Sequence, residues 1–153
     1  MKKFSFTLER VLDYKEQVEQ NLRNEHGQAV RQVKEQEEKI GELETGFRSF
    51  KEQVDEIKFS EISSARLQGY SGYLSLLIGK IASEKEELAR RQREEERRRE
   101  LVIEAKKETS SIQMLKDKKR REYDALEAKE HEREVEEFVS NRSIARKRER
   151  ENG

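Results

Sequence analysis

The sequence has no cysteine, no proline, no tryptophan and no net charge. Each absence removes options. Without cysteine there are no disulfides and no thiolate metal sites, which fits a reducing compartment. Without proline, nothing in the chain must interrupt a helix. No apolar run approaches the ~20 residues needed to span a bilayer. The basic opening MKKFSF has no apolar stretch behind it and does not read as a secretion signal. Hydrophobic residues make up 31% of the 153 positions, well below the composition of a globular domain, so a sizeable single core is not expected.

What the chain does have is charge. Thirty-four basic side chains balance 34 acidic ones, and charged residues reach 44%. Disorder goes with high net charge, which is absent here. Ala, Glu, Lys, Arg and Leu supply just over half of the residues, the composition of long helices and coiled coils. A soluble, intracellular, nearly all-helical protein is the expectation.

Apolar positions keep a 3/4 spacing along the first third: Phe4, Leu8, Val11, Lys15, Val18, Leu22, then Ala29, Val33, Gln36, Ile40, Leu43, Phe47, Phe50, Val54 and Ile57. Joining the two runs through His26 requires two successive four-residue steps, a stutter that locally unwinds a supercoil. The pattern lapses in KFSEISSARLQGYSGY, where Gly69, Gly72 and serines 60, 63, 64 and 71 form the strongest breaker signal. A second run follows through Tyr70, Leu74, Leu77, Ile81, Leu88, Val102, Ala105, Thr109, Ile112, Tyr123 and Leu126. The spacing predicts a helix over 4–58, a turn over 59–69, a helix over 70–145 and a basic tail over 146–153, in one elongated coiled-coil domain spanning 1–153.

Neither helix can bury its stripe alone, and folding back buries both. The predicted fold is all-α: two long helices in an antiparallel coiled-coil hairpin, the C-terminal helix longer and overhanging. With the turn centred near 64, position i faces about 128−i, which sets Phe4 and Leu8 near Tyr123 and Leu126. Residues 89–100 (ARRQREEERRRE) have no large apolar side chain, and they fall opposite Gln36, Val33 and Ala29. That makes this stretch the most readily opened, held by i,i+4 pairs worth ~0.2–0.5 kcal/mol each.

Catalysis finds no constellation. His26 and His131 lie in different helices that the register keeps apart, and HEREVEE is not a zinc motif because Val135 stands four residues after His131. Carboxylates on a solvated helix lack the burial that tunes a general acid or base. The seven glycines form no phosphate cradle. No enzyme, cofactor or metal is expected. The basic runs KDKKRR (116–121) and RSIARKRER (142–150) have acidic neighbours and no interleaved aromatics, so they read as solvated faces rather than nucleic-acid sites.

Aromatics carry more information. Five lie in 47–73 (Phe47, Phe50, Phe59, Tyr70, Tyr73), and the hairpin brings the other five (Phe4, Phe6, Tyr14, Tyr123, Phe138) to the opposite end. They read either as plugs for fraying ends or as interface anchors. Tyr73 and Leu76 sit off the stripe, which favours a partner surface near the turn. At the amino end, Thr7 as N-cap would make Phe6 and Val11 a hydrophobic staple, leaving Phe4 to face Tyr123.

Three stretches bear a resemblance to the FliJ family, the small coiled-coil components of the bacterial flagellar type III export apparatus. They are FSFTLERVLDYKE at the start, GYSGYLSLL after the turn, and EVEEFVSNRSIARKRE near the end. The resemblance implies a stalk-like hairpin, similar to the central stalk of rotary ATPases, that links the export ATPase (FliI) to the cytoplasmic domain of the export-gate protein (FlhA) and assists export chaperones. It implies a cytoplasmic protein, held at the inner face of the cell membrane through its partners only. Carried over, Tyr70, Tyr73 and Leu77 would engage the gate, and Phe4, Glu136, Glu137 and Phe138 the ATPase. The alternatives are a stalk from a virulence-type secretion system, and a structural coiled coil forming a parallel dimer with no fold-back.

Overall fold

A computed structural model of the chain describes residues 2–57 and 62–153. Two helices account for nearly all of it: α1 (Glu9–Asp55) and α2 (Ser64–Asn152). They run antiparallel in a helical hairpin, with α2 the longer. The chain divides into two compact units, one of Met1–Gln17 with Lys107–Gly153 and one of Val18–Lys106. In each, a segment of α1 packs against a segment of α2. A hairpin folded back within one chain sets aside the parallel dimer.

The helix boundaries differ from those expected, and local chemistry explains the difference. At the start of α2, the Ser63 hydroxyl accepts a hydrogen bond from the Arg66 amide at 3.2 Å, and the Ser63 carbonyl accepts from the Leu67 amide at 3.1 Å. Ser63 is therefore an N-cap, and a serine that reads as a breaker instead starts the helix. Gly69 and Gly72 lie inside α2 rather than in a turn, at a cost of about 1 kcal/mol each relative to alanine. The basic segment 146–152 is helical too, so no separate tail exists. Residues 58–61, where the expected turn begins and where Phe59 lies, fall outside the described residues.

At the other end, α1 starts at Glu9 and not at 4. Its first i→i+4 bond runs from the Leu12 amide to the Leu8 carbonyl at 2.9 Å, so the helix start lies one residue later than a Thr7 cap requires. The fourth helical position moves accordingly from Val11 to Leu12. Leu12 is 2% exposed and Phe6 9%, while Val11 is 40% exposed.

That one-residue shift removes the stutter. Positions 8, 12, 15, 19, 22, 26, 29, 33, 36, 40, 43, 47 and 50 alternate four- and three-residue steps without interruption, and all but Leu8 at the helix start are buried or half-buried. Glu19, not Val18, occupies the heptad position, folding its methylene stem inward until only 13% of the side chain is exposed. Selecting apolar letters misses a charged residue used in this way.

The stripe of α2 likewise does not lapse. Positions 67, 70, 74, 77, 81, 84, 88, 91, 95, 98, 102, 105, 109, 112 and 116 alternate three and four, and every one is buried or half-buried. Through the arginine-rich stretch the seam keeps its period and changes its chemistry, with Glu84, Arg91, Glu95 and Arg98 pointing inward. These groups bond across to α1. His26 Nε2 lies 2.9 Å from Glu95 Oε1, Arg98 reaches Glu25 at 3.2 Å, and Arg91 donates to the Gln32 carbonyl at 3.0 Å. Gln36, 2% exposed, donates to the Glu84 carbonyl at 2.9 Å and to its carboxylate. Lys39 and Lys85 add ion pairs to Glu84 and Glu44, each at 3.0 Å.

Facing residue numbers add to about 123, as in Gln32–Arg91 and Phe50–Tyr73 in one unit and Lys15–Glu108 in the other. The expected register was 128−i. The earlier start of α2, at Ser64 rather than 70, accounts for the shift.

Within α2 the local pairs are strong in their effect on titration. The carboxyl of Glu87 is pulled down to about 2 by hydrogen bonds from Arg90 and Arg91, and that of Glu94 to about 2 by hydrogen bonds from Arg97 and Arg98. Both values lie below the ordinary value of 4.5, so the charged pairs favour the folded helix above pH 4.5 and lose that contribution as pH falls through about 2. Helical content followed by circular dichroism is therefore expected to hold down to pH 4.5 and to fall between 4.5 and about 2. A transition complete above pH 5 would contradict this assignment.

Candidate partner-binding sites

The expected site residues fall into two groups, one in each unit. In the unit of Val18–Lys106, Tyr70 and Tyr73 stand one turn apart on α2, and Phe50 approaches them from α1. The Phe50 ring meets Tyr70 edge-on at 5.9 Å and Tyr73 at 4.8 Å. Such edge-to-face pairs contribute ~0.5–1.5 kcal/mol beyond burial. Beside them lies an open groove of about 870 Å³ lined by Phe50, Ser63, Ala65, Arg66, Gly69, Tyr70 and Tyr73. Gly69 has open space where a side chain would stand, which keeps the groove clear beside Tyr70.

Tyr70 and Leu77 are half-buried seam residues, whereas Tyr73 is 47% exposed and Leu76 66% exposed. The off-stripe position of Tyr73 and Leu76 was legible in the sequence. Phe50 as the ring that holds both tyrosines was not, because an antiparallel contact has no sequence spacing to betray it.

In the other unit, residues 2–7 run non-helically along α2. Phe4 packs on Tyr123 with ring centroids 5.6 Å apart, the juxtaposition that the hairpin predicts. Two contacts escaped sequence reading. The Arg120 guanidinium lies 5.1 Å from the Phe4 ring and 5.6 Å from that of Tyr123, and the Tyr123 hydroxyl donates to the Lys2 carbonyl. The cation over two ring faces ties the opening segment to α2. Lys116 pairs with Glu9 at 2.9 Å in the first turn of α1, and Lys15 with Glu108 at 2.8 Å. Each of these half-buried lysines is held above its ordinary value, chiefly by the hydrogen bond to its glutamate. Phe4, Phe6, Leu115, Tyr123 and Leu126 form the apolar wall of a 590 Å³ cleft with Lys2, Lys3 and Lys119 at its rim.

Glu136, Glu137 and Phe138 are not part of that cleft. They lie further along α2, where nothing from α1 stands opposite and every residue from 131 to 153 is exposed. Phe138 is 65% exposed and Val139 59%, and Glu137 makes only a 3.9 Å pair with Arg133 on its own helix. The structure therefore does not gather the four terminal residues into one pocket. Phe4 belongs to a packed cluster, and the other three to a bare helix.

His26 is bonded to Glu95 in the seam, and His131 is exposed in the other unit. Among the described residues, no three His, Cys, Asp or Glu side chains group to hold a metal ion. No helix among them is long and apolar enough to cross a membrane.

Paired antiparallel helices, a heptad seam that turns polar midway, and one aromatic cluster in each unit define a coiled-coil protein. The family model described as "Flagellar FliJ protein" matches residues 4–148, nearly the whole chain, and the chain belongs to the FliJ family. It is a component of the flagellar protein-export apparatus and serves protein transport as a structural part. No curated protein and no solved structure matches it.

Proposed function

We propose that the protein links the export ATPase to the membrane export gate and assists export chaperones, as a stalk-like coiled coil at the inner face of the cell membrane. The gate contact is formed by Tyr70, Tyr73 and Leu77, and the ATPase contact by Phe4, Glu136, Glu137 and Phe138. The observation that supports this reading is an aromatic cluster in each unit together with large apolar side chains left bare, Tyr73 and Leu76 at one cluster and Phe138 further along α2 from the other. Exposed aromatics are over-represented among residues that dominate interfaces, where truncation of one commonly costs ≥ ~2 kcal/mol, or about 30-fold in affinity. Phe4 contributes indirectly, as a plug that shapes the end of its unit through Tyr123 and Arg120.

The test is a pair of binding measurements with the purified ATPase and the gate protein's cytoplasmic domain. Tyr73→Ala is expected to weaken the gate contact by ~10–30-fold and leave the ATPase contact unchanged. Phe138→Ala is expected to do the reverse. If both substitutions weaken binding to the same partner, the two-site reading fails.

A further inference from the structure

The last stretch of α2 leaves four large apolar side chains bare, and while Ile144 continues the hairpin seam, Val135, Phe138 and Val139 lie on a stripe of their own. The seam positions of α2 extrapolate from 116 through 119, 123 and 126 to 130, 133, 137 and 140, which are Glu130, Arg133, Glu137 and Ser140. The bare large side chains Val135 and Phe138 fall instead on the series 128, 131, 135, 138, 142, 145 and 149. The two series are two residues out of step, so at ~100° per residue they lie about 160° apart around the helix. Helix α1 cannot cover this stripe even where it reaches.

The residues flanking the new stripe have a pattern that points to the occupant. One flank reads Glu132, Val139, Arg146 at seven-residue intervals, and the other reads Glu134, Asn141, Arg148. Each goes from acid through neutral to base, one centred on position 139 and the other on 141, so that together they are centred on 140. A helix with that arrangement is complementary to itself reversed. We propose that α2 pairs with α2 of a second copy of this chain as an antiparallel two-fold coiled coil centred near residue 140.

In that alignment position i faces about 280−i. Glu132 of each copy meets Arg146 of the other, and Glu134 meets Arg148. Along the seam, Val135 meets Ala145, His131 meets Glu149, and the Arg142 guanidinium lies against the Phe138 ring. Every heterotypic contact occurs twice, as a two-fold interface requires. No ion pair within the chain occupies Glu132, Glu134, Arg146 or Arg148 among the described residues. The inference does not rest on the ATPase reading. Pairing covers Phe138, so the dimer and any partner that grips Phe138 exclude one another.

Sedimentation of the full chain tests it. At ~0.1 mM and low salt the protein is expected to be a dimer, dissociating near 1 M salt, where the screening length falls to ~3 Å. Glu132→Arg with Glu134→Arg makes both flanks basic, and Arg146→Glu with Arg148→Glu makes both acidic. Each double variant alone places like charges opposite one another and is expected to weaken self-association at least ~30-fold. An equimolar mixture of the two restores complementarity at every flanking pair and is expected to form the heterodimer. A monomeric wild type, a double variant that dimerises alone, or a mixture that stays monomeric would each overturn the proposal.

A second measurement is independent of the charges. Because the chain has no cysteine, Asn141→Cys is expected to form an intermolecular disulfide across the two-fold axis, while Ser140→Cys on the outer face is not. Equal cross-linking at both positions would overturn the alignment.

Discussion

Leu12→Ala is expected to lower the unfolding free energy by about 2–3 kcal/mol, whereas Val11→Ala one position earlier lowers it by less than about 1 kcal/mol. Leu12 is 2% exposed and Val11 40% exposed. In a two-helix seam each buried leucine is a large share of the apolar area available, because a hairpin of this composition has few others. Ala29, Ile40 and Ala105 complete the short set of apolar helix residues that are fully covered, and two of those three are alanines. Chemical denaturation of the two variants checks the assignment directly. A larger loss at Val11 than at Leu12 would mean that the unbroken heptad from position 8 is wrong and that the stutter is real.

Phe50→Ala is the substitution expected to matter most at the other aromatic cluster. It removes a ring on which Tyr70 and Tyr73 both rest, and a stability loss of about 2–3 kcal/mol is expected, less than for a fully buried phenylalanine because the site is half open. The tyrosine circular dichroism band should weaken at the same time, as both rings lose their fixed neighbour. Tyr73→Ala, by contrast, removes a half-exposed ring and is expected to cost less than about 1 kcal/mol of stability. The contrast separates two roles. If the gate reading holds, both variants lose gate binding, but only Phe50→Ala also loses stability. A Tyr73→Ala variant as unstable as Phe50→Ala would make Tyr73 a packing residue rather than a contact.

The fold was largely legible because coiled coils write their architecture into composition and period. The absence of proline, the charge balance and the 3/4 spacing of Ile40, Phe47 and Phe50 or Leu74, Leu77 and Ile81 suffice for two long helices. Two paired stripes with a breaker between them suffice for the hairpin. The errors have one common source. Reading the seam as the set of apolar letters selects Val11 and Val18 over Leu12 and Glu19, and it loses the seam at Arg91, Glu95 and Arg98. Long charged side chains bury their stems and bond across the helix pair at their tips, so the period survives where hydrophobicity does not. Treating serine as a breaker concealed the Ser63 cap in the same way, because the hydroxyl stops one conformation only by starting another.

The candidate sites were legible in part. An exposed Tyr73 beside a seam, and an exposed Phe138 beyond the last residue that can have an opposite number, follow from period and length alone. The sequence also holds the acid-to-base pattern centred on residue 140, but its meaning depends on knowing that the stripe through Val135 and Phe138 faces away from α1.

Helix content, antiparallel pairing and family membership were thus determined by the order of residues, since each depends on interactions within a few turns or on a period that repeats. Tertiary structure alone decided the register, the burial of Gln36 against Glu84, and the placement of Arg120 over Phe4 and Tyr123. Those contacts join residues tens of positions apart, and a shift of five residues in the pairing register replaces every one of them while leaving each helix unchanged.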